Sequence, residues 1–428
     1  MRVMDRQNGV SSVRCLSAAG EVNKGQSNMD EVNRRSLLKI VGSAGLMPAF
    51  AEAEMELTTP NGPLIYQVAE PGEQAQPSKE SIKFAVIGLD HNHILAITAA
   101  VQRGGGQLVS FYSNNPRGIA DFKKRFGEAK LARGEEEILN DKSIQLVASA
   151  SIPVERAPLG IRVMRAGKDF LVDKPGITTL EQLAEVRKTI QQTGRIYAIM
   201  YSERLEVKAA VKAGDLVKAG AIGRVIQTVN LAPHQINQPN SPPRPEWFWD
   251  PARYGGILCD IGSHQADQFV YYTGSTTAEV TGSQIANVNH ADKPNFQDFG
   301  DMMVHGNGGA GYVRVDWFTP NGLGVWGDGR LFILGTEGYI ELRKYADVAG
   351  RKGGNHLFIV DRTQARYIDC NNVELPFGPQ FVRDIINRTH IAQDQEQALL
   401  ATELVLKAQK NAKWLHFSEH TAPLTANS

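Results

Sequence analysis

From Ser81 onward the apolar positions alternate between two patterns. IKFAVIG (82–88) is a continuous apolar run and reads as a strand buried on both faces. ILAITAAVQRG (94–104) is apolar at helical spacing and closes on a glycine. The patterns then repeat. LVSFYS (108–113), QLVASAS (145–151), DFLVDKP (169–175) and RIYAIMY (195–201) predict further strands; ADFKKRFG (120–127), APLGIRVMRAGK (157–168) and TLEQLAEVRKTIQQTG (179–194) predict helices between them. Such alternation predicts an α/β lobe over 81–202 with a parallel sheet and ligands at the carboxyl ends of its strands. Beyond it, over 203–415, the pattern is short β-rich runs set off by Gly, Asn and Asp: RVIQTVNLA (224–232), AEVTGSQIANV (278–288), DMMVHG (301–306), GYVRVDWFT (311–319), RLFILG (330–335), YIELRK (339–344) and HLFIV (356–360). Residues 416–428 form a tail.

The first eighty residues do not join either pattern. Residues 1–53 read as an address. NRRSLLK (33–39), with paired Arg34 and Arg35, precedes a weakly apolar run (40–51) and small residues suited to cleavage. This looks like a twin-arginine export signal, with Asn33 where Ser or Thr is commoner and Leu37 where Phe is commoner. Met29 is an alternative start. A membrane anchor is the other reading, but a run of about a dozen residues falls short of the roughly 20 that span a bilayer, and no lipidated Cys follows. Export by this route moves folded proteins, often with a cofactor already loaded. A tightly held cofactor, a periplasmic or otherwise exported location and contact with the twin-arginine machinery are therefore expected. Residues 54–80, rich in Glu, Pro, Gly and Gln, read as an arm or linker.

Composition narrows the class. The chain has 428 residues, 42% of them hydrophobic and 21% charged, and a formal net charge of zero, so two domains with real cores are expected. No basic run or stripe is present, which argues against nucleic acid as a partner. Three cysteines, one of them Cys15 in the leader, build no disulfide framework; Cys259 reads as a small buried side chain.

The first strand-to-helix turn should face a phosphate with backbone N–H groups and the helix dipole. Here it is Gly88-Leu89-Asp90-His91-Asn92-His93, with only Gly88 left of a glycine-rich pattern. His91 and His93 read as cofactor-lining, with a metal pair as the alternative. At the end of the second strand the usual ribose-binding acid is absent. Ser113, Asn114 and the nearby Arg117 tilt the expectation toward NADP, or toward use of both NAD and NADP.

Two further stretches carry a family resemblance. VDKPGITTLEQL (172–183) places Asp173-Lys174-Pro175 at a strand end, and GGILCDIGSHQADQ (255–268) holds Gly255, Gly256, Asp260, Gly262 and His264. With AGK (166–168), GAIGRV (220–225), GTEGYIEL (335–342) and a late helix (397–413), the chain resembles the glucose–fructose oxidoreductase / inositol dehydrogenase / MocA (Gfo/Idh/MocA) family over roughly 82–415. The family's E-K-P signature is D-K-P here. The resemblance implies an N-terminal Rossmann dinucleotide-binding domain, then an α+β domain with an open, mostly antiparallel sheet whose outer face commonly pairs subunits into a homo-oligomer. It also implies bound NAD or NADP, a Lys174/Asp260/His264 catalytic set, and cofactor contacts extending to Ser151, Pro153, Asp173 and Lys174. No metal is expected.

Hydride transfer requires a proton acceptor and a group that stabilises a developing alkoxide. His264 suits the first and Lys174 the second. Asp260 can orient His264, pair with Lys174 or cap the following helix. Asp260, His264 and Asp267 are spaced to share one helical face, with Asp267 read as structural. The segment 233–256 is rich in Pro, Trp and Asn, as in loops that stack sugar rings. His234, Arg244, Trp247, Trp249 and Tyr254 are its candidate substrate contacts, a packed surface loop being the alternative; Tyr201 and Arg204 are placed to reach the cofactor or substrate. The expected function is an exported NAD(P)-dependent oxidoreductase acting on a sugar, cyclitol or glycoside. Two other readings stay open: a glycosidase working by oxidation, elimination and reduction with His234 or Tyr254 as an added base, and a binding protein without turnover. Exchanging Arg34 and Arg35 for Lys is expected to strand the protein in the cytoplasm, read by cell fractionation; normal export would discredit the leader reading.

Overall fold

Each apolar run of the first lobe becomes a strand: Lys83–Leu89, Gln107–Tyr112, Leu146–Ala150, Asp169–Asp173 and Tyr197–Met200. The computed structural model describes residues 58–59, 62–70, 81–238 and 241–417. The leader, 1–53, and the tail beyond 417 lie outside the described residues. With the two-residue strand Lys130–Leu131 these runs form a six-stranded sheet, all pairs parallel, in the order 130–131, 107–112, 83–89, 146–150, 169–173, 197–200. Every residue of the last three strands is buried, so they show no polar alternation.

Two helices start earlier than the apolar pattern indicates, at Pro116 and Pro153. Proline suits the first helical position, where its missing N–H has no partner anyway. Asn115 caps the first of them by accepting from the Gly118 N–H at 3.1 Å. Pro158 lies inside the helix Pro153–Arg165 and cannot donate to the Val154 carbonyl. The Gln182 side-chain amide donates there instead, at 3.0 Å.

The second sheet has ten strands, in the order 413–414, 278–286, 299–306, 309–316, 225–233, 330–335, 339–343, 356–360, 365–369, 65–68. Six neighbouring pairs are antiparallel and three are parallel. Residues 65–68, read as part of an arm, are an edge strand paired with Ala365–Asp369. Their side chains are exposed, so no buried alternation marks them in the sequence. One face of the sheet carries the helices Lys208–Lys218, Gly262–Thr273 and Gln395–Asn411. The opposite face exposes Ile226, Met303, Phe332, Leu334 and Tyr339.

The C-terminal segment joins the two sheets. Tyr197–Met200 is an edge strand whose outward backbone groups need partners. Gln393 supplies them as an extra strand would: its Nε2 donates to the Ile199 carbonyl at 2.9 Å and its Oε1 accepts the Ile199 N–H at 3.1 Å. Gln395 Oε1 accepts the Tyr197 N–H at 2.8 Å. Arg388 adds an ion pair to Asp169 at 2.7 Å. The Ile199 carbonyl also accepts the Tyr201 N–H at 2.9 Å, so Gln393→Ala is expected to leave only the Ile199 N–H unpaired and to cost about 1 to 2 kcal/mol in urea unfolding; a loss under about 0.5 kcal/mol would show that the amide is dispensable.

Candidate active site

The strand Asp169–Asp173 ends at the carboxyl edge of the first sheet, and Lys174 follows it. A buried arginine shapes this end. Arg156 donates to the carbonyls of Ser151 (2.7 Å), Asp173 (3.1 Å) and Pro175 (3.2 Å), and to Asp173 Oδ2 at 3.0 Å. His91 Nδ1 meets the same Oδ2 and His93 Nδ1 meets Oδ1, each at 3.0 Å. Burial works to raise the Asp173 carboxyl, but His93, Arg156 and the two imidazole hydrogen bonds outweigh it and hold it well below the usual carboxylate range. An ionised carboxylate only accepts, so both imidazoles carry their proton on Nδ1.

The second lobe delivers Asp260 and His264. Gly256 has φ +86°, and a side chain there would meet Gln409 Cδ at 2.2 Å. Gln409 is needed at that spot: its Oε1 accepts the Leu258 N–H at 3.2 Å, while Gln297 accepts the Ile257 N–H at 2.9 Å. The helix breaks after Ile257–Asp260 and restarts at Gly262–Thr273. The three polar residues therefore point to different partners. Asp260 does not cap the second helix; its Oδ1 accepts from Lys174 Nζ at 2.9 Å. His264 faces the cleft, and Asp267 binds Arg204 through both oxygens at 2.6 and 2.8 Å.

Lys174, Asp260 and His264 line one cleft of about 340 Å³, together with His91, Asn92, His93, Pro153, His234, Arg244 and Trp247. Burial raises the Asp260 carboxyl, but the Lys174 ammonium beside it brings the balance below the usual value. Burial lowers His264 to about 3, opposed by Glu203 and reinforced by Lys174. His234 falls to about 4 and His91 to about 3, burial again being the largest cause.

A second groove of about 760 Å³ runs along the strand ends and is lined by Gly88, Asp90, Ser113, Asn114 and Ser151. Gly88 has φ +85°, and a Cβ there would lie 2.7 Å from Ser151 Cβ and Oγ. The backbone is thus bared where a flat, phosphate-bearing ligand would pass, and the residues present fit a dinucleotide.

Several expected contacts are not in either cavity. Leu89 is buried below the groove. Arg117 is exposed and points toward Asp121, 3.9 Å away, so the basic group behind the NADP preference is absent from the groove. Glu135 and Arg162, paired at 2.8 Å, line it instead. Arg204 is buried against Asp267 and Tyr271. Tyr201 is buried on Thr402. Tyr254 is sealed against Phe248 and Phe296, and Trp249 packs on Phe296 at 4.9 Å. Asp173 lies behind the wall, positioning the two histidines. His91, His93 and Asp173 offer ligand atoms within 4.8 Å of one another, but Arg156 already neutralises that carboxylate. The sequence reading missed Arg156, Glu203, Gln235, Trp317, Trp326 and Tyr345, all of which line the cleft. Glu203, just past a parallel strand's carboxyl end, was findable by that rule; the aromatic residues come from distant segments outside the strands, with no local signal.

Comparison with known proteins agrees with this geometry. Residues 82–201 match the oxidoreductase family model with an NAD-binding Rossmann fold, and 210–341 match the GFO/IDH/MocA C-terminal domain, together well over half of the chain. The chain belongs to the Gfo/Idh/MocA family. An Erwinia carotovora atroseptica protein, named no further than as an oxidoreductase, is 45% identical with TM-score 0.75, over 78% of this chain and 100% of that one. The scyllo-inositol 2-dehydrogenase (NAD(+)) of Bacillus subtilis is 24% identical over 74% of this chain and 90% of its own length. An aldose-aldose oxidoreductase from Caulobacter crescentus, complexed with glycerol, shares the fold at 17% identity and TM-score 0.62, over 77% of this chain and 98% of that one. This Gfo/Idh/MocA chain is thus an oxidoreductase with an NAD-binding Rossmann domain.

The depressed histidines set a pH dependence. A histidine held near 3 or 4 in the fold but near 6.5 when unfolded contributes stability that is full above pH 6.5 and is lost progressively as pH falls from there to the folded value. Tm is expected to drop between pH 7.5 and 5, and His264→Asn to flatten the drop, measured by calorimetry. A level Tm over that range would contradict the buried, neutral state of His264.

Proposed function

We propose that this chain is an exported NAD(P)-dependent oxidoreductase that acts on a ring hydroxyl of a sugar or cyclitol with a tightly held cofactor. The observation that carries the reading is the Lys174–Asp260 contact of 2.9 Å in the same cleft as His264, beside the groove shaped by Gly88. A bound nicotinamide supplies the hydride acceptor. Lys174, its charge balanced by Asp260, donates a hydrogen bond to the reacting oxygen and stabilises negative charge on it. His264 is neutral at physiological pH and takes the hydroxyl proton. The cyclitol and aldose named for two relatives fit a cleft of this size and polarity.

The glycosidase reading keeps one supporting observation: His234 lines the cleft, whereas Tyr254, the other base considered, is sealed from it. Incubating the protein with glycosides and no added cofactor distinguishes the two, since only a glycosidase releases a reducing sugar. The apolar outer face of the ten-stranded sheet, with Leu334 opposite Tyr339, supports a homo-oligomer, which light scattering would read. Among the described residues no helix is long and apolar enough to cross a membrane.

Lys174→Ala and His264→Ala are each expected to lower kcat by about a hundredfold or more while cofactor stays bound, followed by cofactor absorbance and mass spectrometry of the released dinucleotide. A near-wild-type rate in either variant would remove the role given to that residue.

A further inference from the structure

Three residues that line the 340 Å³ cleft each carry a buried polar atom with no hydrogen-bond partner among the described residues: Glu203 Oε1, His264 Nδ1 and Trp317 Nε1. Buried polar groups are paired in the great majority of cases, and an unpaired one costs its full desolvation. Unpaired atoms that border a cavity show where a ligand completes the set. These three residues are only 2%, 3% and 6% exposed.

Glu203 sits in the short helix Ser202–Leu205, just beyond the last strand of the parallel sheet. Its Oε2 is fully engaged, accepting from Lys344 Nζ at 2.7 Å and Gln265 Nε2 at 2.9 Å. Lys344 also donates to Gln268 Oε1 at 2.7 Å. The charge of Glu203 is therefore already balanced inside the protein, while its Oε1 can only accept. Next along the wall, Trp326 lies 4.5 Å from Tyr345 and 4.7 Å from His234, ring centre to ring centre.

This arrangement restricts what can bind. Oε1 needs a donor and Trp317 Nε1 needs an acceptor; a hydroxylated ring offers both. The aromatic rings match the apolar C–H face of such a ring. At Glu203 itself a ligand carboxylate would set negative charge against Oε1, which can only accept, and an ammonium would add a second positive charge beside Lys344. We infer that this wall is a substrate subsite in which Glu203 accepts from a ring hydroxyl and Trp317 donates to a ligand oxygen, selecting a neutral polyhydroxylated ring over its uronate and amino counterparts. The inference deepens the oxidoreductase reading and rests on it for the role of the cleft.

The test titrates the full protein with myo-inositol, D-glucose, D-glucuronate and D-glucosamine, following tryptophan fluorescence for binding and, separately, cofactor absorbance for turnover. At least one neutral ring is expected to bind tenfold or more tightly than glucuronate and glucosamine. Glu203→Gln should weaken that binding about tenfold, raise KM in step and narrow the discrimination against glucuronate. Trp317→Phe, which keeps the ring and removes only the N–H donor, should weaken the same ligand and carries the test if Glu203→Gln does not fold. Binding with this selectivity but without cofactor reduction would support the subsite while sinking the oxidoreductase reading. Glucuronate binding as well as the neutral rings, unchanged affinity in the folded variants, or no binding of any of the four would overturn the inference.

Discussion

An ammonium at the end of one sheet and a carboxylate from the other half of the chain meet at 2.9 Å in a largely buried cleft. Each is held on its own side by neighbouring side chains. Arg156 binds the backbone around Lys174, and Gln409 with Gln297 fixes the turn that precedes Asp260. A buried ion pair is a poor source of net stability, because desolvation consumes most of the Coulomb attraction. Breaking it is costly all the same, so the two lobes must stay in register. The cleft is a product of that register, and with it the meeting of His264, Lys174 and the groove beside Gly88.

Most of the charge inside the site is paired, while Arg244, also in the cleft, donates only to the Gln235 and Ile236 carbonyls. Asp173 faces Arg156, Asp260 faces Lys174, Glu203 faces Lys344, and Asp267 faces Arg204. His91, His234 and His264 stay neutral near physiological pH, because burial disfavours the charged imidazolium. Neutral imidazoles can accept protons, and balanced pairs do not demand a counter-charge from the substrate. The same feature explains why acid is expected to weaken the fold, because unfolding lets those imidazoles protonate.

Much of the first lobe was legible because most of its strands are buried on both faces and its helices on one, so periodicity alone separates them. The early helix starts at Pro116 and Pro153 were missed, since proline interrupts an apolar pattern yet suits a first helical turn. The edge strand 65–68 was missed for the opposite reason: its side chains are exposed, and its pairing is entirely a matter of which neighbour reaches it. Lys174, Asp260 and His264 were readable from two local motifs at strand and helix ends. Arg204 and Tyr254 read as candidate ligand contacts in the sequence and are buried away from the cleft, because polarity along a chain does not reveal which side a neighbouring element covers.

The chain by itself determined the alternating α/β lobe, the β-rich lobe after it, and the residue types needed for proton and hydride chemistry. These follow from local periodicity and from motifs a few residues long, where short-range sterics and hydrogen bonding decide. Only the tertiary structure decided that Asp260 turns to Lys174 rather than capping its helix, that Asp173 holds two histidines from behind the wall, and that Glu203, Trp317 and Tyr345 converge from distant segments. Those outcomes depend on burial and on contacts between residues a hundred positions apart, which no local pattern encodes.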